Sequence, residues 1–498
     1  NGPMATIAPM LPTEHTARLR EALAEAGYTV DGVRAVLGAR ASAALDRNET
    51  TPGMAATTGG SSLETLIRLW PLQAPVARAA AQTALPCLDA LVASGILTDD
   101  GSTVQARVDV RPYADDAGDW WLLADLTPGL DGANPAVPDA HVLGVNAASS
   151  TLAQLTVRRP VGRALDLGTG GGVQALHLAR HAGSIVGTDI NPRALAMAGV
   201  TAALNGLDLD LRQGDLFHPV AGERFDLIVA NPPFVVSPGG HHVYRDSGLA
   251  GDSLSRQVML DGARHLSPGG RLQMLANWMH IRGTDWIERV GEWANATGCD
   301  AWVVQREVQD PAEYVELWLR DSGERGAPHY RKRYADWLDW FDANDVEGVG
   351  FGWVTLVRSE RERPVVELES WPHAVAQPLG PTIAERFDRV AALPDSDDDL
   401  LRLTLSRDAG ISQEQIGQPG EEDPEHLILR QRHGLMRARE VGTEEAGLVG
   451  ACEGSVPLAA LMDAVAAVCE VDPADLRRRL LPRVRELVTD GYLHIAER

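Results

Sequence analysis

The chain has 498 residues, of which 44% are apolar and 23% are charged, so it is not an intrinsically disordered chain and is long enough for two to four domains. It contains no apolar run of about 18 residues or more, so no membrane span is expected. The formal net charge of −24 argues against tight, non-specific binding to nucleic acid. The four cysteines form no C-x-x-C pair, which predicts reduced thiols in the cytoplasm and no metal site.

The amino-terminal segment is predicted to contain helices followed by a pair of strands. Helices are expected at residues 13–26, 63–69 and 85–94. Alternating apolar residues at 104–113 and 120–126 predict the two strands. Helices followed by a two-stranded wing resemble a winged helix, so residues 1–128 are predicted to form a helical, winged-helix-like domain.

Residues 141–375 are predicted to form an α/β domain with a Rossmann-like, seven-stranded sheet, because short apolar strands alternate with helices there. A segment rich in Gly, Pro, Asn and Asp at 129–138 is the expected linker before it. The last two strands are expected to form an antiparallel edge. The predicted strands are 163–168, 184–189, 207–213, 226–231, 271–276, 301–307 and 350–358.

A glycine-rich turn closes the first of these strands and opens a helix. It runs from Asp166 to Gly172 and has glycine at 168, 170, 171 and 172. Glycine allows a sharp turn and the close approach of a ligand, since no Cβ stands in the way. The next strand ends in Asp189, and an acidic residue there can accept both ribose hydroxyls of a nucleoside. The pattern therefore predicts a nucleoside-containing cofactor.

The fourth strand is followed by Asn231-Pro232-Pro233-Phe234. An amide or aromatic amine nitrogen is a poor nucleophile because its lone pair is delocalised, and its two N–H groups need acceptors that orient it. The Asn231 side-chain oxygen and the Pro232 carbonyl are suitable acceptors, and two successive prolines fix the backbone. Phe234, with Pro233 beside it, is expected to stack on a planar substrate group. Asn231, Pro232 and Phe234 are therefore the predicted catalytic residues.

Together, the glycine turn and this motif resemble class I S-adenosylmethionine-dependent N-methyltransferases with an (Asn/Asp)-Pro-Pro-(Tyr/Phe) signature, whose catalytic unit is the small methyltransferase domain. The resemblance covers roughly residues 141 to 360. It implies S-adenosylmethionine as cofactor, and Asp166 agrees, because a carboxylate in the turn suits a cationic cofactor better than a pyrophosphate. The residues expected to hold the cofactor are Asp166, Gly168, Thr169, Gly170, Gly172, Asp189, Ile190, Asp215, Leu216 and Asn231.

The resemblance also implies roles for residues outside the two motifs. Asp215 would meet the adenine amino group, while Leu216 and Ile190 would pack on the two faces of the ring. The family places a substrate-covering segment after the Asn-Pro-Pro motif. His242, Tyr244 and Arg245 in that segment are therefore expected to line the substrate entry.

Residues 376–498 are predicted to form a second helical, winged-helix-like domain. Helices are expected at 457–470 and 472–487. The pattern Leu-Val-x-(Ser/Asp)-Gly-(Ile/Tyr)-Leu occurs at 91–97 and again at 487–493, which indicates two similar modules on either side of one catalytic domain.

Three classes of methyl acceptor remain open. The motif looks most like that of protein glutamine methyltransferases that act on translation release factors, so a protein glutamine side chain is the first prediction. The alternative is an RNA or DNA base, at adenine N6, guanine N2 or cytosine N4, which the winged modules and five arginines between residues 476 and 485 favour. A small molecule or a natural-product peptide is the third class. The expected partner is therefore a protein or a nucleic acid in the cytoplasm, and no membrane; the oligomeric state is left open.

Overall fold

The structure is a computed structural model that describes residues 10–133, 135, 137–138, 140–238, 251–324, 326–419 and 425–496. The chain divides into two units. One combines Asn1–Ala153 with Arg159–Trp371, and the other combines Gln154–Arg158 with Pro372–Arg498. The first unit includes both the predicted amino-terminal domain and the predicted central domain, so the border near residue 128 stays a prediction. In the described part of the chain, no helix is long and apolar enough to cross a membrane.

The amino-terminal part of the first unit is mainly helical. Strands β1, β3 and β2 form a small antiparallel sheet in that order. The elements are α1 (Thr13–Glu25), α2 (Val30–Leu45), α3 (Thr51–Ala56), α4 (Ser62–Leu69), β1 (Val76–Ala77), α5 (Arg78–Ala84), α6 (Leu88–Ala93), β2 (Leu97–Asp99), β3 (Thr103–Ala106), β4 (Val108–Asp115) and β5 (Gly118–Asp125).

The central part of the first unit alternates strands and helices. Its elements are α7 (Ala147–Leu155), β6 (Val161–Leu167), α8 (Val173–Leu178), β7 (Ala182–Asp189), α9 (Pro192–Leu204), β8 (Asp210–Gln213), β9 (Phe225–Ala230), α10 (Ser253–Arg264), β10 (Leu266–Ile281), α11 (Trp286–Ala296), β11 (Asp300–Gln309), α12 (Pro311–Asp321), α13 (Tyr330–Ala343), β12 (Val346–Val357) and β13 (Val366–Ser370). The helices are expected to cover the sheet, because parallel strands need crossover connections.

These strands form an eight-stranded sheet with the order β8-β7-β6-β9-β10-β12-β11-β13. The strands from β8 to β10 are parallel, and β12 is antiparallel to both of its neighbours, β10 and β11. The seven predicted strands are all present. An eighth strand, β13, pairs in parallel with β11 and occupies the edge where an antiparallel pair was expected.

The prediction that residues 104–113 and 120–126 form the wing of the amino-terminal module was wrong. Residues 104–113 contribute to two strands in different sheets, because the backbone N–H groups of Arg107 and Val108 both donate to the Ile96 carbonyl and the chain bends there. The wing position beside β1 is occupied by β2 and β3. The hairpin of β4 and β5 is a separate two-stranded sheet.

This hairpin packs against the back of the central domain. The Leu123 N–H donates to Thr201 Oγ1 of α9 at 3.1 Å, and the Asn205 side chain bonds both backbone groups of Trp121. A Cβ at Gly171 would lie 2.4 Å from the Leu123 carbonyl oxygen, so the glycine turn can pass the hairpin only without a side chain. The hairpin therefore packs directly against the glycine turn at Gly171.

The second unit contains two three-stranded sheets, with strand orders β18-β14-β19 and β15-β16-β17. Its elements are α14 (Gly380–Ala392), α15 (Asp397–Arg402), β14 (Thr404–Arg407), β15 (Ile411–Ile416), β16 (His426–Gln431), β17 (Ala438–Val441), α16 (Thr443–Ala451), β18 (Glu453–Pro457), α17 (Leu458–Val468), α18 (Pro473–Thr489) and β19 (Leu493–Ile495).

The two copies of the Leu-Val-x-(Ser/Asp)-Gly-(Ile/Tyr)-Leu pattern have the same local structure. The glycine has a positive φ in both, 76° at Gly95 and 82° at Gly491. The residue after the glycine donates its N–H to the carbonyl of the motif's first leucine, at 3.0 and 2.8 Å. This is a glycine-terminated helix end that leads into a strand. The two small sheets next to these motifs differ in their central strand. In the sheet β1-β3-β2 the central strand, β3, follows the motif in the chain, whereas in the sheet β18-β14-β19 the central strand, β14, precedes it.

Candidate functional site

The predicted cofactor and acceptor segments all leave the central sheet at one edge, on neighbouring strands. Register pairs align one residue from each of β7, β6, β9 and β10, namely Thr188, Leu167, Ala230 and Met274. The next residues on the first three strands are Asp189, Gly168 and Asn231. The chain order reverses between β6 and β9, and ligands of open α/β sheets bind in the crevice at such a point.

The glycine turn after β6 has a conformation that only glycine adopts readily. Gly168, Gly170 and Gly172 have φ angles of 73°, 55° and 92°. No atom lies within 4 Å of a Cβ built at Gly168 or Gly170, so the space above the turn is open. The Thr188 carbonyl accepts from the N–H groups of Gly168 and Thr169, both at 2.9 Å, which fixes the turn to β7. The turn therefore offers room for a cofactor in a rigid frame.

Asp166 and Thr169 lie beneath this turn. The Asp166 carboxyl is buried and accepts from the Thr169 hydroxyl at 2.7 Å and from the Ala175 N–H at 3.1 Å. Because the Thr169 hydroxyl is bonded to Asp166, Thr169 would contact the predicted cofactor through its backbone. Burial raises the pKa of the Asp166 carboxyl to about 7, although the two hydrogen bonds oppose the shift.

The raised pKa predicts a pH-dependent stability. The folded protein holds the Asp166 proton more tightly than the unfolded chain, so the stabilisation is complete below the ordinary carboxyl pKa and is lost as the pH rises through about 7. Asp166→Asn carries no titrating group and should remove this loss. We expect its free energy of unfolding, relative to the wild type, to rise by up to about 4 kcal/mol between pH 4 and pH 8. Urea unfolding at several pH values measures the difference.

The matched control for this prediction is Asp210→Asn, which changes an exposed carboxyl on β8. Its pH profile of stability should follow that of the wild type. Parallel profiles for Asp166→Asn and the wild type would show that the buried carboxyl titrates normally in the folded chain.

Asp189 is the last residue of β7, and backbone N–H groups occupy part of its hydrogen-bonding capacity. Its two carboxylate oxygens accept from the N–H groups of Gly170 and Asn191, both at 2.9 Å. Each oxygen has a further lone pair, which leaves capacity for two ribose hydroxyls. Burial raises the pKa of this carboxyl as well. Ile190 follows and is 51% exposed, so it offers an apolar face at the sheet edge.

The segment after β8 makes a tight turn at the same edge. Gln213 pairs with Asp189 in the sheet, so Gly214, Asp215 and Leu216 follow directly beside the predicted ribose position. Leu216 has a φ of 44°, an uncommon conformation for a residue with a side chain, and packs partly against the core. Asp215 is exposed. This geometry leaves both side chains available for the predicted adenine contacts.

The Asn-Pro-Pro motif begins at the first residue after β9. Asn231, Pro233 and Phe234 are half-buried and Pro232 is buried. Among the residues that the structure describes, none hydrogen-bonds the Asn231 side-chain amide, so its oxygen is available to a ligand. The predicted substrate residues His242, Tyr244 and Arg245 lie outside the described residues.

Several residues that contact this edge were not predicted from the sequence. Tyr314, Trp337 and Asn277 surround the end of the motif segment, and a bidentate ion pair joins Asp252 to Arg289, with distances of 2.5 and 2.7 Å. None belongs to a local motif, because each is far from residue 231 in the chain. The aromatic spacing on α12 and α13 was the one available signal, and it resembles that of any buried helix.

Two family models match the chain. Residues 143–290 match the model of the methyltransferase small domain. Residues 25–107 match a domain of unknown function, DUF7059.

Curated relatives match part of the chain, and three of them illustrate the range of their names. A ribosomal RNA small subunit methyltransferase C of Alcanivorax borkumensis is 34% identical over 116 residues, which cover 23% of this chain and 32% of the relative. A release factor glutamine methyltransferase of Xylella fastidiosa is 38% identical over 129 residues, which cover 23% and 47%. A ribosomal protein uL3 glutamine methyltransferase of Bradyrhizobium diazoefficiens is 34% identical over 148 residues, which cover 27% and 46%.

The chain therefore spans less than half the length of these three relatives. A solved structure, the Thermus thermophilus 16S rRNA N2 G1207 methyltransferase with AdoMet and guanosine, is 18% identical, with a TM-score of 0.27 over 45% of this chain and 59% of that one. Residues 143–290, which contain the glycine turn and the Asn-Pro-Pro motif, are therefore similar to the methyltransferase small domain.

Proposed function

We propose that this protein is an S-adenosylmethionine-dependent N-methyltransferase that acts on a planar amide or exocyclic amine nitrogen. One observation carries the proposal: Asn231-Pro232-Pro233-Phe234 leaves β9 in register with the glycine turn of β6 on the neighbouring strand. Asp189 leaves the next strand at the same level. This arrangement supports a nucleoside site and a nitrogen-orienting motif at the same end of the sheet.

The residues on the cofactor side fit S-adenosylmethionine. When bound, this cofactor supplies an electrophilic methyl group on a cationic sulfonium. The open space above Gly168 and Gly170 would admit its amino-acid portion without a Cβ in the way. Asp189 would accept from the ribose hydroxyls, and Asp215 from the adenine amino group. Ile190 and Leu216 would cover the two faces of adenine. Asp166 holds the turn, and Asn231 would face the cofactor from the end of β9.

On the acceptor side, the chain orients a nitrogen rather than deprotonating it. The Asn231 side-chain oxygen and the Pro232 carbonyl would each accept one N–H, which directs the nitrogen lone pair away from both. Phe234 would stack on the planar group, with Pro233 limiting its movement. The nitrogen can lose its proton to water after the methyl transfer, so no general base is needed.

For the acceptor itself, we propose a glutamine side chain of a translation protein in the cytoplasm. Two of the relatives described above are named as glutamine methyltransferases, of a release factor and of ribosomal protein uL3. The net charge of −24 also favours a protein over a phosphate-rich partner.

The arginine-rich helix α18 lends no support to nucleic-acid docking. Each of its five arginines already pairs with a carboxylate, so the helix presents no uncompensated positive surface. The pairs are Arg477 with Asp463, Arg478 with Asp475, Arg479 with Glu444, Arg483 with Glu445 and Arg485 with Asp397.

A base of ribosomal RNA is the second candidate. It is favoured by the Alcanivorax borkumensis relative, which is named as a ribosomal RNA methyltransferase. The same Asn231 and Pro232 acceptors would orient an exocyclic amine, and Phe234 would stack on the base.

Tritiated S-adenosylmethionine distinguishes these acceptors. The purified protein is incubated with a cell extract in two portions, one treated with nuclease and the other with protease. Label that survives nuclease but not protease would support a protein acceptor, and mass spectrometry should then find one added methyl group on a glutamine side chain. Label that survives protease but not nuclease would support the base. If the purified protein binds S-adenosylmethionine but labels neither portion, the result would contradict the proposed function.

A further inference from the structure

The segment that follows the Asn-Pro-Pro motif is held by a pair of helices inserted between β11 and β12. Val236 lies two residues after Phe234 and is fully buried. Its N–H donates to Tyr314 Oη of α12 at 2.8 Å, and its carbonyl accepts from Trp337 Nε1 of α13 at 3.1 Å. Side chains of the helix pair therefore bond both backbone groups of Val236.

The Tyr314 hydroxyl also bonds the central sheet. Asn277 Nδ2 of β10 donates to the same oxygen at 3.0 Å. Asn277 lies three residues beyond Met274, which pairs with Ala230, the residue that precedes the motif. Tyr314 and Asn277 are both almost completely buried. We call these contacts of Tyr314 and Trp337 with Val236, together with that of Asn277, the Val236 anchor.

We propose that Tyr314, assisted by Trp337, is a positioning residue for the methyl acceptor. The inference rests on the proposed function of Asn231 and its neighbours. Ala230 fixes the start of the motif in the sheet, and the Val236 anchor fixes its end, with only residues 231–235 between them. Because both ends are held, the two acceptor carbonyls keep one direction and one distance from the cofactor edge. A displacement of about 1 Å at such a site costs on the order of 100-fold in rate.

A second contact is made by Gly251, the first described residue after Pro238. The Gly251 N–H donates to the Ser237 carbonyl at 3.0 Å. Next to it, the buried Asp252 accepts from the Met279 N–H at 2.8 Å and pairs with Arg289. Ser237 is thus bonded to Gly251, and the adjacent Asp252 is bonded to β10 and α11. The anchor therefore belongs to a wider set of contacts near the acceptor motif.

Tyr314→Phe tests the proposal. The phenyl ring should keep its place among Trp318, Trp337, Phe341 and Phe351, whose ring centroids lie 5.6 to 6.4 Å from that of Tyr314. The change removes the hydroxyl oxygen that accepts from two buried donors. We expect kcat to fall by about 10- to 100-fold, with the cofactor Kd changed by less than about twofold. We also expect faster amide hydrogen exchange in a peptide that covers Val235 and Val236.

The matched control is Tyr334→Phe in the same helix pair. The Tyr334 hydroxyl donates to the exposed Glu316 at 2.8 Å and is not one of the groups that form the Val236 anchor. This variant should keep the kcat, the cofactor Kd and the exchange rates of the wild type.

Trp337→Phe provides a second test at the carbonyl of Val236. We expect a smaller loss of kcat than for Tyr314→Phe. The double variant should lose less than the product of the two single losses, because both changes release one residue.

Wild-type kcat or wild-type exchange in Tyr314→Phe would overturn the positioning role and leave the proposed function intact. A cofactor Kd that rises as much as kcat falls would also overturn it, since the helix pair would then act on the whole domain. A wild-type protein that binds cofactor but methylates neither protein nor nucleic acid would instead overturn the proposed function, and the positioning role with it. The exchange measurement reports on the anchor independently of turnover.

Discussion

Replacing Asn231 with alanine is expected to lower kcat for methyl transfer at least about 100-fold while changing the cofactor Kd by no more than about threefold. Asn231 is the first residue beyond β9, and within the described residues its side-chain amide is not used by the fold. Its loss removes one of two acceptors that orient the substrate nitrogen. The main cofactor contacts are expected from Asp189 and the glycine turn on other strands. Label transfer measures kcat, and isothermal titration calorimetry measures Kd.

Asn231→Asp is the matched control, because it keeps an oxygen acceptor at the same position. We expect its kcat to lie well above that of Asn231→Ala. If Asn231→Ala lost cofactor affinity by the same factor as turnover, Asn231 would be a cofactor ligand rather than an orienting acceptor. Thermal melting checks that both variants fold.

The position of the candidate site was predictable because each part of it is local in sequence. The glycine turn, Asp189 and Asn231 each follow a short apolar strand, and parallel strands present their carboxyl ends at one sheet edge. Knowing the strand ends was therefore enough to place these residues together. The register of Leu167 with Thr188 and Ala230 shows how closely the three strand ends align.

The amino-terminal strands were harder to predict, because alternation does not show where one sheet ends and another begins. Val104, Ala106, Val108 and Val110 keep an unbroken period of two, yet β3 and β4 belong to different sheets. The bend at Arg107 depends on the Ile96 carbonyl, which lies on the far side of a turn. Likewise, the pairing of β14 between β18 and β19 joins strands from distant parts of the chain.

The Val236 anchor was not predictable for a related reason. Tyr314 and Val236 are separated by 78 residues, and Trp337 and Val236 by 101. Aromatic residues at helical spacing ordinarily indicate a buried face. Only the folded chain shows that a tyrosine hydroxyl and an indole N–H on this face bond the backbone beside the motif. The sequence likewise shows the arginines of α18 but not the carboxylates that pair with them.

Asp189→Ala is expected to have the opposite effect to Asn231→Ala. The cofactor Kd should rise about 100-fold or more, because two charge-assisted hydrogen bonds to ribose hydroxyls contribute about 1.5 to 3 kcal/mol each. At saturating cofactor, kcat should fall less than about tenfold, since the acceptor side is unchanged. Burial raises the pKa of this carboxyl, so the affinity of the wild type should fall as the pH drops through that pKa. Calorimetry of the wild type over a series of pH values measures this fall in affinity.

Two further variants separate ribose recognition from support of the fold. Asp189→Asn keeps the shape of the side chain and one oxygen, so its Kd should lie between those of the wild type and the alanine variant. Asp210→Ala removes an exposed carboxylate on the neighbouring β8 that pairs with Arg212, and it should bind the cofactor normally. Asp189 also accepts from the N–H groups of Gly170 and Asn191, so melting curves must show that the variants are folded. A folded Asp189→Ala protein with wild-type cofactor affinity would place the ribose elsewhere on the sheet edge.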